Sequence, residues 1–249
     1  MISWKKRIER NDYFMIICTD LFHTLFFRWG KGTRLKHGGF YSGPDKFNPG
    51  HLLQHKFEDA TIVDKKSWGN RRNIRLEDIK ETHELISELV SIISCNGNIL
   101  INVGPTREGT IIPIFEERLR QLGGWLKING EAIYGTKPWI HQKDSKALQP
   151  QVWYTSKKNT VYGIVLGWPI QSQLYLSDLK LSASTKIHLV GYHNPLKFSI
   201  QADNSIKIIF PPMEKFVSRC GKFCRWAYTL KVSNPLSHPN FINHLREQN

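Results

Sequence analysis

The stretch Asn98–Pro105, NILINVGP, lies between two segments of helical periodicity and decides the fold of the first half of the chain. Its run of apolar, largely β-branched residues predicts a short strand buried on both faces. Before it, apolar residues recur at helical spacing over Thr82–Ser94, and Asn96-Gly97 supplies a stop signal. After it, residues 110–127 repeat the helical pattern, with Pro113 in the first turn. The order helix, buried strand, helix indicates a parallel α/β fold.

Towards the N-terminus, residues 28–60 are rich in turn signals. The segment RWGKGTRLKHGGFYSGPDKFNPGH, residues 28–51, contains closely spaced Gly and Pro. This composition predicts a long ordered loop rather than repeated strands. Loops of this length inside a domain are often functional.

Towards the C-terminus, the pattern changes after about residue 140. Short alternating segments separated by turn signals predict an antiparallel β-sandwich. The segments are Gln151–Tyr154, Val161–Trp168, Gln173–Leu176, Lys186–Val190, Lys197–Ile200, Ser205–Phe210 and Trp226–Val232. We therefore expect an N-terminal segment over 1–27, an α/β part over 28–140, a β-sandwich over 141–235 and a polar tail over 236–249.

Charge and cysteine content limit the classes of function. The chain of 249 residues has a formal net charge of +14, yet its Lys and Arg residues are scattered and no nucleic-acid-binding module is recognisable. We therefore expect a solvated basic surface and no nucleic-acid partner. Cys220 and Cys224 lack a second ligand pair, so no zinc site is expected. A local disulfide and two free thiols both remain open for this pair.

The sequence shows no membrane-spanning or export segment. It has no apolar run of about 18 residues, which a spanning helix would need. The basic residues Lys5–Arg7 precede an apolar stretch at Tyr13–Phe27, as in a signal peptide. Because Asp20 and His23 interrupt this stretch and no clean cleavage site follows, no signal peptide is expected.

Several long strings resemble the α-L-fucosidases, a family of retaining glycoside hydrolases. The similarity covers HGGFYSGPDKFNPGHLLQHKFE (37–58), DKKSWG (64–69), GNILINVGPTREGTI (97–111), FEERLRQLGGWLKINGEAIYGTKPW (115–139) and QVWYTSK (151–157). The resemblance implies the C-terminal part of a (β/α)8-like barrel, followed by an antiparallel β-sandwich. It also implies hydrolysis of terminal α-L-fucose from glycoproteins and glycolipids with retention of configuration.

The resemblance has further implications for cofactors, partners and location. No metal or organic cofactor is expected, and the partners are fucosylated glycans. Members of the family are often homo-oligomers, and animal members are typically lysosomal or secreted.

The resemblance makes Glu58, the last residue of HKFE, the catalytic acid/base. The chemistry requires such a group, since the leaving oxygen must be protonated and the attacking water deprotonated. Phe57 is the candidate apolar wall that would raise the pKa of Glu58. Read without the surrounding string, Glu58 would be an ordinary surface residue.

Three other residues are candidates for the site, and each has a structural alternative: Trp68 matches a family aromatic near the sugar, Arg28 matches a family arginine near the nucleophile, and His55 lies three residues before Glu58. His55 either hydrogen-bonds the sugar or orients the carboxyl group, or it is a buried structural histidine. Trp68 either stacks on the sugar or belongs to the core. Arg28 either holds a carboxylate through a bidentate hydrogen bond or forms a structural salt bridge. Asn102 and Thr106 flank the buried strand and are candidates for the rim of the site.

The resemblance does not extend to the nucleophile, which is an upstream aspartate in the family. Phe26 and Phe27 stand where the family pattern has Asn-Asp, and neither Asp12 nor Asp20 lies in a matching string, so no nucleophile is assigned. We expect this polypeptide alone to hydrolyse fucosides weakly or not at all. The alternatives are a non-catalytic fragment that binds glycans or another subunit and, third, a basic polyanion binder, whose affinity would fall steeply with salt.

Overall fold

The computed structural model describes residues 40–42, 44–53, 56–148, 150–220 and 226–235. This part of the chain divides into two units between Lys127 and Ile128. The first unit contains a parallel sheet of three strands, and the second contains two antiparallel sheets. The predicted change from α/β to antiparallel β structure is therefore confirmed.

The parallel sheet consists of β1, β2 and β3 in that order. The strands are β1 Phe40–Ser42, β2 Lys56–Ile62 and β3 Gly97–Asn102, with helix α1 Thr82–Ser94 before β3 and helix α2 Pro113–Asn129 after it. The predicted bounds of α1 and the predicted strand at β3 are confirmed. Helix α2 begins later than predicted, because Thr106 N–H donates to Thr110 O at 2.8 Å and holds residues 106–110 in a loop.

The prediction of one long loop over residues 28–60 is wrong where the structure describes it. β1 lies inside this segment, and β2 begins at Lys56. The string KFEDATI lacks simple alternation because Asp59 and Thr61 are buried at 3% and 0% exposure. A strand with buried polar residues does not show the hydrophobic pattern by which strands are recognised.

Alternation along β2 assigns its side chains to two faces. Phe57 and Thr61 face α1, since Thr61 Oγ1 lies 3.3 Å from Glu88 Oε2 and Phe57 lies beside Ile92 at Gly97. Glu58 consequently lies on the opposite face. Phe57 therefore cannot form the predicted apolar wall around the Glu58 carboxyl group, and that expectation is corrected.

The second unit contains eight strands in two antiparallel sheets. Their orders are β4-β5-β6-β11-β8 and β7-β10-β9. The strands are β4 Lys137–Leu148, β5 Gln151–Lys157, β6 Thr160–Val165, β7 Gln173–Leu176, β8 Leu181–Leu189, β9 Lys197–Ile200, β10 Ile206–Ile209 and β11 Tyr228–Pro235. One hydrophobic cluster includes Val152 and Leu230 from the larger sheet and Leu174 and Ile208 from the smaller. The seven predicted strands correspond to β5 to β11.

Two elements of this unit were not predicted. Strand β4 has the sequence KPWIHQKDSKAL, and its pairing with β5 shifts register between Pro138 and Lys143 and again before Leu148. Such irregular pairing breaks the period of two on which strand recognition depends. Helix α3, Met213–Cys220, is short and lies between β10 and β11.

A buried carboxylate joins β4 to β5 and to the segment after β7. Asp144 is 1% exposed and accepts hydrogen bonds from Tyr154 Oη at 2.8 Å, Ala147 N at 3.0 Å and Ser177 N at 3.1 Å. Burial and the adjacent Asp144 carboxylate raise the pKa of Tyr154 well above its ordinary value. Asp144 has the satisfied hydrogen bonding of a structural residue.

None of the helices described here is long and apolar enough to cross a membrane.

Candidate active site

Two loops follow the carboxyl ends of β2 and β3. Because carboxyl ends of parallel strands meet at one edge of a sheet, this edge is where α/β proteins place their functional groups. Val63 N–H donates to Asn102 O at 3.2 Å, and Asn102 Nδ2 donates to Trp68 O at 2.7 Å. A Cβ at Gly104 would overlap the backbone of Gly69 and Asn70. The two loops are therefore packed backbone to backbone.

Arg71 fixes the first of these loops. Its guanidinium group binds Asp64 through Nε at 2.7 Å and Nη2 at 3.0 Å, and Asp78 through Nη2 at 2.5 Å. Lys66 Nζ binds the other oxygen of Asp78 at 2.5 Å. Both carboxylates are buried. The bidentate ion pair between Arg71 and Asp64, together with the bonds from Arg71 and Lys66 to Asp78, therefore fixes the loop over residues 64–78.

The ion pairs with Arg71 and Lys66 keep Asp64 and Asp78 ionised. Hydrogen bonds from Lys66 and Arg71 hold the pKa of Asp78 well below its ordinary value. Burial alone would raise the pKa of Asp64, but hydrogen bonds from Arg71 and the Lys66 backbone lower it overall. Two carboxylates locked in this way fix the loop and do not exchange protons near neutral pH.

Trp68 lies on this loop and is 37% exposed. Its backbone is held through the hydrogen bond from Asn102. A partly exposed indole at the carboxyl edge of the sheet is available as a stacking surface. Sugar contact by Trp68 stays a prediction.

Glu58 lies near the amino-terminal end of β2, away from the carboxyl edge of the sheet. It is the third residue of β2, pairs with Asn98 and accepts a hydrogen bond from Asn98 Nδ2 at 3.1 Å. Asn98 and Asn102 are four residues apart on β3, a rise of about 13 Å. Because Asn98 contacts Glu58 and Asn102 contacts Trp68, the structure does not bring Glu58 and Trp68 together.

A different carboxyl group follows the carboxyl end of β1. Asp45 is exposed and lies in a turn, where Lys46 has a φ of 58°. Lys46 N–H donates to Ala60 O at 3.0 Å, and Lys46 Nζ lies 3.4 Å from Lys65 O, just beyond the end of β2. The turn thus extends from the edge of β2 to the loop that carries Trp68.

A buried polar cluster lies on the other face of β2, against α1. Lys80 Nζ donates to Glu88 at 2.5 and 2.7 Å and to Thr61 Oγ1 at 2.6 Å. Asp59 lies beside this cluster, and burial together with the charge of Glu88 raises its pKa to about 6. The described residues contain no group of three His, Cys, Asp or Glu side chains that could hold a metal ion.

The remaining predicted residues are less informative. His55 and Arg28 lie outside the described residues, as do Asp12 and Asp20. Thr106 Oγ1 and Thr110 Oγ1 are hydrogen-bonded at 2.8 Å, so Thr106 shapes its own loop.

Asp45 and Arg71 were not predicted from the sequence. The signal for Asp45 was the pair Pro44-Asp45 in a turn after a short aromatic strand.

A parallel β/α unit with its aromatic and carboxyl groups at the carboxyl edge, followed by an antiparallel β unit, is an architecture found in glycoside hydrolases. Two family models match the chain in succession. The model for alpha-L-fucosidase matches residues 20–131, and that for the alpha-L-fucosidase C-terminal domain matches residues 142–233.

Comparison with individual proteins also finds α-L-fucosidases. Human plasma alpha-L-fucosidase is 45% identical over 210 residues, which are 83% of this chain and 44% of that protein. Human tissue alpha-L-fucosidase is 46% identical over 186 residues, 75% of this chain and 40% of that protein. The Thermotoga maritima alpha-fucosidase crystallised with fucose superposes with a TM-score of 0.68 at 28% identity, covering 80% of this chain and 43% of that one.

The chain belongs to the α-L-fucosidase family. It spans less than half the length of these relatives.

Proposed function

We propose that this chain forms part of an α-L-fucosidase, which hydrolyses terminal α-L-fucose from glycoproteins and glycolipids with retention of configuration. The observation that carries the proposal is the succession of the two family matches, first the fucosidase model and then its C-terminal domain. The fixed Trp68 at the functional edge supports it, because the sugar would need an apolar surface there.

The proposal includes the architecture implied by the family. The three parallel strands with their helices would form the C-terminal part of a (β/α)8-like barrel, and the second unit would be a β-sandwich. The parallel register of β2 and β3 and the cluster shared by the two antiparallel sheets support these assignments.

Retaining hydrolysis requires two carboxyl groups about 5 Å apart, one of which protonates the leaving oxygen and then activates water. This chain would supply that acid/base. Glu58 is the candidate from the resemblance, and Asp45 is the candidate from position. Asp45 is supported by its exposure in the turn that extends to the Trp68 loop.

In a preparation that turns over fucosides, substrates with good and poor leaving groups would separate the two candidates. Replacement of the acid/base slows hydrolysis of a poor leaving group most, and azide restores turnover because it attacks the fucosyl intermediate without a general base. We expect Asp45→Asn to show both effects and Glu58→Gln to show neither. The reverse pattern would assign the role to Glu58.

Binding of an iminosugar analogue of fucose tests the wider proposal without requiring turnover. We expect the folded chain to bind it, even where hydrolysis is weak. A folded chain that neither binds the analogue nor hydrolyses a chromogenic fucoside would contradict the proposal.

His55, Arg28 and Trp68 complete the proposed substrate site. Trp68 would stack on the apolar face of fucose, while His55 and Arg28 retain the roles implied by the resemblance. No cofactor is proposed. The partners would be fucosylated glycans and, for a homo-oligomer, further copies of the protein.

A non-catalytic role in glycan or subunit binding is the second candidate. It is favoured by the separation of Glu58 from Trp68 along the sheet. Fucose binding without any turnover would support it. Lysosomal or secreted localisation is proposed from the relatives, which are named plasma and tissue fucosidases.

A further inference from the structure

The turn that carries Asp45 is attached to β2 and α1 through the residues that follow it. Lys46 N–H donates to Ala60 O at 3.0 Å. The ring of Phe47 meets that of Phe57 edge to face at 5.7 Å. Asn48 Nδ2 donates to Ser91 Oγ at 2.8 Å. The placement of Asp45 therefore depends on how firmly residues 46–48 are held.

A further attachment of the turn is a hydrogen bond to a buried carboxyl group, that of Asp59. The backbone N–H of Phe47 donates to the carboxyl group of Asp59, which is 3% exposed. The Oδ1 atom of Asp59 is buried and has no hydrogen-bond partner among the described residues. An ionised carboxylate in this position is costly, because neither water nor a donor compensates for one of its oxygens.

The charged groups around Asp59 act in both directions. Glu88 from α1 and Asp45 from the turn raise its pKa, whereas Lys80 from the segment before α1 lowers it. Lys80 Nζ is hydrogen-bonded to Glu88 and Thr61, which occupy the three donors of its ammonium group, so it donates no hydrogen bond to Asp59. Burial and the charge of Glu88 outweigh the charge of Lys80, so ionisation of Asp59 is unfavourable overall.

We propose that Asp59 is a positioning residue that holds the turn of Asp45 in place while it is protonated and loosens it when it ionises. Protonation removes the cost of the buried charge and the repulsion from Glu88 and Asp45, which together outweigh the weaker hydrogen bond from Phe47 N–H to a neutral carboxyl group. Ionisation restores that repulsion and favours opening of the turn to water. The consequence for catalysis rests on the proposed function, but the behaviour of the turn does not.

Burial raises the pKa of Asp59 to about 6, so the transition falls between neutral and acidic solution. The turn would be firmly held on the acidic side and looser on the neutral side. The Asp45 carboxyl group would accordingly be presented at a fixed position mainly in acidic surroundings.

Hydrogen exchange of the whole chain between about pH 4.5 and about pH 7.5 tests this, after correction for the intrinsic pH dependence of exchange. We expect the protection of the Lys46 and Phe47 amides to fall about tenfold as the pH rises through 6, while amides of β6 keep theirs. Asp59→Asn should keep high protection throughout. Glu77→Gln, an exposed acid of the same unit, should behave like the wild type.

Two results would overturn the proposal. Wild-type protection of Lys46 and Phe47 that is constant across this pH range would do so, whether or not the variant folds. An Asp59→Asn protein that keeps the wild-type pH dependence would also do so. Neither result depends on fucose binding, so failure of this inference and failure of the proposed function are separate outcomes.

Discussion

In the antiparallel unit, Asp144 is buried at 1% exposure and receives six hydrogen bonds, whereas in the parallel unit Asp59 is buried at 3% exposure and its Oδ1 has no hydrogen-bond partner in the part of the chain that the structure describes. The first carboxylate connects strands and is fully satisfied. The second lies between two other carboxylates, beneath the turn of Asp45. A buried acid with all partners in place stabilises the fold, and one without them indicates a position where the protein responds to its surroundings.

The largest effect is expected from Asp144→Ala. The substitution leaves Tyr154 Oη and several backbone N–H groups buried without an acceptor, at a cost of roughly 3 kcal/mol or more in free energy of unfolding. Urea denaturation measures it. Glu77→Ala, at an exposed site, is the control and should change the free energy by less than about 0.5 kcal/mol. Equal stability of the two variants would remove the contrast between the units.

Asp59→Asn is expected to stabilise the protein, but only at higher pH. The folded chain binds the proton more tightly than the unfolded chain, because the pKa rises from 3.8 to about 6. The contribution of Asp59 to stability is therefore complete below about pH 4 and is lost as the pH rises through about 6. Asparagine does not titrate, so the variant should gain about 1 to 3 kcal/mol at neutral pH.

Denaturant titration of both proteins at about pH 4.5 and about pH 7.5 measures this gain. The two curves should nearly coincide in acid and separate at neutral pH. A variant that is less stable than the wild type at neutral pH would show that the ionised Asp59 is well accommodated.

Gly104→Ala tests the packing of the two loops at the functional edge. The added methyl group would overlap the backbone of Gly69 and Asn70, which cannot move as a side chain can. We expect a loss of about 1 to 3 kcal/mol in thermal or urea unfolding. The control is Gly69→Ala, since nothing lies within 4 Å of a Cβ built there.

Trp68→Ala should weaken binding of an iminosugar analogue of fucose about fivefold, through loss of a stacking surface worth roughly 1 kcal/mol. Because most of the side chain is buried, the substitution should also lower the free energy of unfolding, so binding is compared at a temperature where both proteins are folded. Tyr175→Ala is a matched control, because Tyr175 is 45% exposed but lies in the antiparallel unit. Equal effects of both substitutions in titration calorimetry would contradict a site at Trp68.

The elements that the sequence revealed are those with a clean apolar period. Helix α1 and strand β7 have the predicted bounds, because their buried apolar residues recur with the period of a helix and of a strand. β2 was missed because its buried positions include Asp59 and Thr61, and the partners of Thr61, Lys80 and Glu88, are distant in the chain. No local pattern can identify a polar core that only tertiary structure satisfies.

For the candidate site, sequence reasoning identified Trp68 but placed Glu58 on a loop beside it. The structure places Glu58 near the beginning of a strand, paired with Asn98. The distance of a residue from the carboxyl edge of a parallel sheet depends on where its strand begins. The sequence analysis treated residues 28–60 as a loop, so the beginning of β2 was not known and the position of Glu58 along it could not be predicted. Asp45 was overlooked because the turn after β1 gains its importance only from its neighbours in space.

The proposed fucose site lies at the carboxyl edge of the parallel sheet, between Trp68 and Asp45. A crystal structure of the chain with an iminosugar analogue of fucose tests it most directly. The account predicts the ring of the analogue stacked on Trp68, with Asp45 the nearest carboxyl group of this chain. An analogue bound instead beside Glu58 and Asn98, away from Trp68, would contradict it.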